Sequence, residues 1–517
     1  MQLTHFLSLA LLLIACIVAS ICANDSLKDI KVENVLLIRS GTIVNQDRTF
    51  QSDIIVADGK IVKVGNDLKV PEGARIVDAK GKYVVPGGID PHVHLSLFFM
   101  GTVSADGYYT GTRAALAGGT TMLMDFAIPA PKGSHLEQYK AYRARADPEV
   151  TSDYGIHVGI VHWNDEVAKE MEVLVKEHGV NSFKVFMAYK GAFMLSDSDI
   201  YQVMKKAKEL GAIVQVHAEN GELVVEGQER IFNLGITGPE GHGLSRPAYV
   251  EGEATKRIAT LAWAAGNVPL YVVHVMSQDA MDEVRRAKER GQRIVGEPII
   301  AGLTLDDSHT YNKDWDYASR YVMSPPLRPK GHQEPLLRGL KSGILDILGT
   351  DHCSFSTEQK RMGREDFRKI PNGIASVEHR MNLLWQFVRE GRLTPQEFVR
   401  ATSARAAQVF NIYPRKGLIQ EGSDADIAII DPEAKQVISA KTHHHNVEHS
   451  AYEGKELEGV VTVTISRGKV VYENGKLNIE KGAGVFVETP AFSPYLYEGL
   501  ERENVNFHTP KKVERAN

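Results

Sequence analysis

The chain has 517 residues, 43% of them hydrophobic and 24% charged, with a formal net charge of −5. That balance is ordinary for a globular protein, and without a basic surplus it argues against a nucleic-acid partner and for a small-molecule or protein one. The length suits about three domains, or fewer where one of them is a barrel of roughly 250 residues.

The first 23 residues stand apart. Phe6 to Ala23 is apolar and uncharged, and the small residues Ser20, Cys22 and Ala23 precede the polar "NDSLKD". The pattern is that of a secretory signal peptide cleaved near Ala23, although its first residues carry only His5 where Lys or Arg is usual. A retained membrane anchor is the alternative; no later stretch reaches the ~18 uncharged apolar residues that a spanning helix needs. Cys16 and Cys22 fall in this leader, so Cys353 is the only cysteine of a processed chain and no intrachain disulfide framework is expected. Asn24 opens an "NDS" sequon, but it sits at the expected cleavage point and carries little weight.

From Val35 to Val85 short β-rich runs alternate with turn signals, and Asp58-Gly59 between two apolar runs predicts a hairpin, because glycine accepts the positive φ of a tight turn. A matching pattern returns in "SDADIAIIDP" and "VVTVTISRGKVVYENGK". Residues 24–85 and 412–490 are therefore expected to pair into one β-sandwich, with 86–411 inserted between them and 491–517 as a polar, Tyr-containing tail suited to subunit contacts. Within the insertion, apolar strands alternate with helical patterns. The strands are "GGIDPHVHL", "TTMLMDFA", "YGIHVGI", "SFKVFMAY", "AIVQVHAE", "PLYVVHVM", "RIVGEPI" and "ILDILGTDH", eight in all. Eight βα units predict an α/β fold, a TIM-type (β/α)8 barrel. The segment "DSDIYQVMKKAKELG" shows the expected helix signals, with Asp at its start and Gly211 at its end.

In such a barrel the carboxyl ends of the strands face the active site. His92 and His94 end strand one, Lys184 lies in strand four, His217 and His274 end strands five and six, and Asp351 ends strand eight. Residues two apart on a strand share a face, so His-x-His offers both imidazoles to one cation. One buried histidine is usually a packing residue, and His157 in "YGIHVGI" is read that way. Four histidines and an aspartate at strand ends would each need a separate buried partner, so a metal site explains them better. Lys184 as an ammonium beside a cation would be costly. Burial and repulsion favour its neutral amine, which can add carbon dioxide to give a carbamate whose two oxygens bridge two metals; a lysine on the solvent side of the strand is the alternative. Asp351 can bind metal and also take a proton from attacking water. His352 alternates to the other face and is read as structural, Cys353 has no matched base, and the tract "THHHNVEH" (His443 to His445, with His449) is expected in a surface loop or subunit contact outside the barrel.

Together "GGIDPHVHL", "GGTTMLMDFAIP", "NSFKVFMAYKG", "VHAENG", "VHVMS", "VMSPPLR", "GTDHCSF" and "KIPNGIASVEHRM" make the chain resemble the cyclic amidohydrolases of the hydantoinase/dihydropyrimidinase family, over almost everything after the leader. The resemblance implies two zinc ions: His92, His94 and Asp351 on one, His217 and His274 on the other, and Lys184 as N6-carboxylysine bridging them. It further implies that Tyr189 polarises the scissile amide and that Ser324 and Asn372 hold the ring, largely through main-chain groups; read without it, Tyr189 is a core aromatic and the other two are turn residues beside prolines. The implied activity is hydrolytic ring opening of 5,6-dihydropyrimidines, dihydrouracil giving N-carbamoyl-β-alanine, in a homotetramer. Hydantoin and allantoin are alternative substrates, because selectivity lives in pocket loops. A non-catalytic scaffold resembling the collapsin-response mediators is the alternative of another class, and the complete ligand set argues against it. Two departures bear on substrate. Ser96 stands where dihydroorotase-like relatives place an anion-binding arginine, which argues for a neutral ring, and "LFF" at Leu97 to Phe99 departs from the usual gating loop. Enzymes of this type are usually cytosolic, in tension with the leader.

Overall fold

The computed structural model describes residues 34–500 and 512–515. The expected leader at 1–23 and the Asn24 sequon lie outside them. No helix among the described residues is long and apolar enough to cross a membrane.

Strand Val35–Val44 pairs antiparallel with Thr49–Ala57, which pairs in turn with Lys60–Gly65. The turn between the last two is Asp58-Gly59, with φ of 44° and 78°, the left-handed pair that a two-residue hairpin demands. Both ends of the chain meet in one nine-stranded sheet. Tyr83–Pro86 runs parallel to Val35–Val44 on one side and antiparallel to Ile427–Val437 on the other, after which Glu456–Ser466 and Lys469–Glu473 continue the order. Beyond the sheet's far edge, the Ile61 amide donates to the Ser423 carbonyl and the Gly422 amide to the Ile61 carbonyl, at 2.9 and 2.8 Å. The sheet thus curls over a core of its own, with Ile38, Ile54, Val84, Ile427 and Ile465 all fully buried.

The inserted segment forms seven parallel strands in sequential order: Gly88–Val93, Thr120–Ala127, Asp153–Gly159, Ser182–Phe186, Ile213–His217, Leu270–Val272 and Ile294–Gly296. Their continuous burial is the mark of strands covered on both faces. The eighth segment occupies its expected place but is not a regular strand. It closes the ring through single bridges, Ile299 with Gly349 and Val93 with His352, and through the Asp346 amide on the Gly296 carbonyl at 2.8 Å. The ladder fails because Thr350 turns its amide and hydroxyl onto the Asp90 carboxylate (3.2 and 2.6 Å) and Asp351 follows with φ of 51°. Two other expected strands are shorter than their sequence runs, so His274 lies two residues past its strand and His94 one residue past its own.

The helix read from "DSDIYQVMKKAKELG" spans Asp197–Leu210, capped by Ser196 and ended by Gly211 at φ of 71°. It buries Ile200, Val203, Met204, Ala207 and Leu210, the three-and-four spacing of one face laid on the strands.

Sheet and barrel are joined by a buried ion cluster. The Lys416 ammonium lies 2.7 Å from Asp153 Oδ2 at the start of the third barrel strand, pairs with Asp426 at the start of Ile427–Val437, and reaches Asp424 at 3.2 Å. Along the amino ends of the barrel strands run residues 484–492, with the amides of Gly484, Val487, Thr489 and Phe492 donating to carbonyls of Val150, Tyr154, Gly179 and Gly211 at 2.7 to 3.0 Å. That face is sealed, and the carboxyl ends remain for chemistry. Asp424 also pairs with Lys60 and Arg415, but removing Lys416 takes the ion-pair partner from the buried carboxylates of Asp153 and Asp426, so Lys416→Met is expected to lower the unfolding free energy by about 3–5 kcal/mol in chemical denaturation, with part of the loss recovered when Asp153→Asn is added.

Candidate active site

All six ligand-type residues converge. His92, Lys184, His217, His274 and Asp351 are buried, His94 nearly so, and with Tyr189, Ser324, Asn372 and Cys353 they line one cavity of about 50 Å³ at the carboxyl ends of the strands. Asp351 Oδ1 stands 3.2 Å from His92 Nε2 and 3.1 Å from His94 Nε2. The His217 and His274 rings lie 4.6 Å apart, and His274 is 5.4 Å from His92. Tyr189 lies 4.9 Å from the His217 ring.

This donor set fits metal ions. One ligand atom each from His92, His94 and Asp351 lies within 4.8 Å of the others, and His92 Nε2 is buried with no hydrogen-bond partner among the described residues. Its other nitrogen, Nδ1, is 2.8 Å from Glu297 Oε1, which fixes the tautomer and leaves Nε2 free to bind. His217 Nε2 is likewise held by Glu219 at 2.8 Å, so Nδ1 is the nitrogen that faces a ligand. Burial pushes the pKa values of His92, His217 and His274 down, which keeps their rings in the neutral, metal-binding form. Burial also lowers Lys184 to about 8, against the pull of Asp351 and Glu297; the side chain makes no hydrogen bond or ion pair among the described residues, and its Nζ lies 4.7 Å from the Phe126 ring centre. Asp351 is held below the usual carboxylate range because His92 and His94 outweigh its burial.

Three of the residues facing this cavity sit in left-handed backbone: Tyr189 at φ of 64°, His274 at 37° and Asp351 at 51°. Non-glycine residues there are held by their surroundings at a cost, and such positions cluster at functional sites.

Several contributors escape a reading of the sequence. Glu297 accepts from Tyr271 at 2.6 Å and from the His274 amide at 3.1 Å in addition to facing His92. Glu219 pairs with Arg246 at 2.9 Å, and these cationic and imidazole neighbours hold its pKa at about 2 against burial. Glu297 had a signal, an acid at the end of the apolar run "RIVGEPI", and Glu219 stands in "VHAENG" two residues from a ligand. Lys360 had none. Its buried ammonium donates to the carbonyls of Val322, Pro371 and Gly373 at 2.9, 2.6 and 2.9 Å, tying together the two loops that carry Ser324 and Asn372. Burial lowers it to about 7 against the pull of Cys353, while three carbonyls at these distances favour the charged form.

Other expectations find definite places. His157 is a core residue, bonded to Ser182 Oγ and the Pro91 carbonyl. His352 faces Asp106 at 3.2 Å, away from the cavity, and Cys353 is buried, which pushes its thiol pKa well up and favours the protonated form. The tract at 443–449 is only partly at the surface. Asn446 and Glu448 are exposed, whereas His445 and His449 are buried against the barrel, where His449 Nε2 donates to the Phe355 carbonyl at 3.0 Å and the His445 ring lies 5.1 Å from His352.

The metal-type cavity adjoins a larger one of about 750 Å³, and Leu97, Phe99, Ile128, Tyr189, Phe193 and Asn372 line both. Ser96 and Phe98–Phe99, the first strand of a small hairpin paired with Thr102–Val103, form part of its wall. Three of the cations on that wall are paired with acids, Arg246 with Glu219, Arg368 with Asp366 and Glu229, and Lys190 with Glu222.

Comparison with known proteins agrees with this architecture. The Amidohydrolase family matches residues 83–471. A dihydropyrimidinase of Arabidopsis thaliana is 49% identical over 473 residues, 91% of this chain and 88% of that one. Among solved structures, a dihydropyrimidinase from Brevibacillus agri superposes with a TM-score of 0.87 at 41% identity, covering 89% of this chain and 99% of that one. A D-hydantoinase from a Bacillus species superposes at 0.86 with 42% identity, covering 88% and 99%. The curled sheet, the metal-type cavity at the barrel mouth and these likenesses lead to one conclusion: the chain belongs to the amidohydrolase family.

Proposed function

We propose that this chain is a cyclic amide hydrolase that opens 5,6-dihydropyrimidine rings, dihydrouracil to N-carbamoyl-β-alanine and dihydrothymine likewise, in pyrimidine breakdown. The observation that carries the reading is the meeting of His92, His94, Lys184, His217, His274 and Asp351 with Tyr189 in one cavity. In this reading His92, His94 and Asp351 would hold one zinc ion, His217 and His274 the other, and Lys184 as N6-carboxylysine would be shared between them. When bound, the pair supplies a water ionised near pH 7 and a positive field on the scissile carbonyl.

The protein's own groups do the rest. Asp351 takes the proton of the attacking water and returns it to the leaving ring nitrogen. Burial raises the Tyr189 phenol's pKa, so it stays protonated and donates to the oxygen on which charge develops. Main-chain groups of Ser324 and Asn372 hold the ring edge, and Lys360 keeps their two loops in register. Glu297 and Glu219 orient the rings of His92 and His217. Ser96, with the pairing of Arg246 and Arg368, suits a neutral ring better than an anionic one. The likeness to a D-hydantoinase structure favours hydantoins as a second substrate class. Assembly as a homotetramer is part of the same proposal. The residues from Phe6 to Ala23 favour a secretory address and the family a cytosolic one.

The deciding experiment measures metal content together with turnover of dihydrouracil, hydantoin, allantoin and dihydroorotate. Bound zinc and hydrolysis of dihydrouracil well above dihydroorotate are expected; a metal-replete protein inert toward dihydrouracil sinks the reading. Tyr189→Phe should lower kcat by about 10²–10³-fold, the cost of one oxyanion donor, while zinc content stays unchanged. Carbamate formation needs the neutral amine of Lys184. At fixed dissolved carbon dioxide, ¹³C-carbamate in the metal-stripped protein should therefore rise as pH passes upward through about 8, and Lys184→Ala should abolish both the signal and the activity.

A further inference from the structure

A second cluster of metal-binding side chains lies outside the catalytic cavity. His379, in the turn before helix Arg380–Arg389, is buried, and neither of its ring nitrogens has a hydrogen-bond partner among the described residues. Over it folds the loop that joins strands Ile427–Val437 and Glu456–Ser466. That loop brings the His445 ring to 5.3 Å and the His443 ring to 6.4 Å from His379, with 4.9 Å between the two. One nitrogen from each ring lies within 4.8 Å of the others.

The remaining contacts fix which atoms face the cluster. His443 Nε2 donates to the Val447 carbonyl at 2.8 Å, which leaves Nδ1 without a partner. His445 Nδ1 has none, and its Nε2 meets only the Glu378 amide at 3.4 Å. Glu378 itself holds the loop by accepting from the His444 amide at 2.6 Å and its Nδ1 at 3.0 Å. Buried imidazole nitrogens normally find hydrogen-bond partners, because desolvating them unpaired is costly. An ion would take one nitrogen from each ring and so partner three of these four, His445 giving up its long contact with the Glu378 amide so that Nδ1 carries the lone pair. Burial keeps His379 and His445 neutral, the form a metal binds. A tetrahedral zinc with Zn–N distances of about 2.0–2.1 Å places its donors roughly 3.4 Å apart, so the three rings must close in moderately. His443 is only partly buried and gives the ion a way in from solvent.

We infer that His379, His443 and His445 form a further binding site for a divalent transition-metal ion of the zinc type, with water as the fourth ligand. The site clips the β-sheet's long loop to the barrel. It is separate from the catalytic centre, since His352 stands between them and turns its Nε2 to Asp106, and it does not depend on the proposed activity.

The test strips the purified full-length protein of metal, reconstitutes it with Zn²⁺ alone and counts bound ions by mass spectrometry. His443→Gln should bind one equivalent per chain fewer than the parent while dihydrouracil hydrolysis is unchanged; equal zinc in the two proteins overturns the inference. Anomalous diffraction at the zinc edge on the metal-replete parent needs no variant. A peak between the three rings supports the site, and its absence there overturns it. A protein whose zinc is lost entirely in His443→Gln would support this site and refute the catalytic pair instead.

Discussion

The carboxylate of Asp90, buried where the first barrel strand meets the eighth segment, is the constraint on which the rest depends. It accepts from the Thr350 amide and hydroxyl and from the His92 amide, so one side chain sets the first and last edges of the barrel against each other. Arg380 works on the same seam, donating to the carbonyls of Ile89 and Leu348 at 3.1 and 2.8 Å in place of ladder bonds. Because side chains rather than a regular ladder close the ring, the backbone is free to turn at Asp351 and aim its carboxylate between His92 and His94. A regular eighth strand would have kept pairing where the site needs a ligand.

Around that seam the protein concentrates groups that repel or dehydrate one another, and it stabilises them with a ring of acids. Glu297 serves His92, Tyr271 and the His274 backbone at once, and Glu219 serves His217 and Arg246. These partners hold the His92 and His217 imidazoles in one tautomer and orientation, which is what an ion needs from its surroundings. Lys184 is the exception. It has no hydrogen-bonding partner among the described residues, and burial favours its neutral amine.

The outer cavity opens onto the site. Its wall is aromatic and apolar around Phe98, Phe99, Tyr189 and Phe193, and Arg246 and Arg368 on it are paired to acids. Lys360 lies behind this wall and acts only through the carbonyls it gathers, a role visible in hydrogen bonds and not in any motif.

Sequence alone determined the barrel, the curled sheet built from both chain ends and the identity of the strand-end ligand candidates, because each of these rests on local signals: periodicity, turn chemistry and residue type at the end of an apolar run. His92, His94, Lys184, His217, His274 and Asp351 were legible for that reason. Tertiary structure alone decided the irregular eighth segment, where Thr350 prefers a carboxylate 260 positions away to its own ladder. It also decided the acids behind the histidines, the Lys360 clamp, and the fate of "THHHNVEH", a polar tract that the chain folds onto His379 instead of leaving in water. A hydrogen bond or a ligand cage between distant residues leaves no period in the sequence; its energy exists only once the fold has brought its members together and removed the solvent that would otherwise satisfy them.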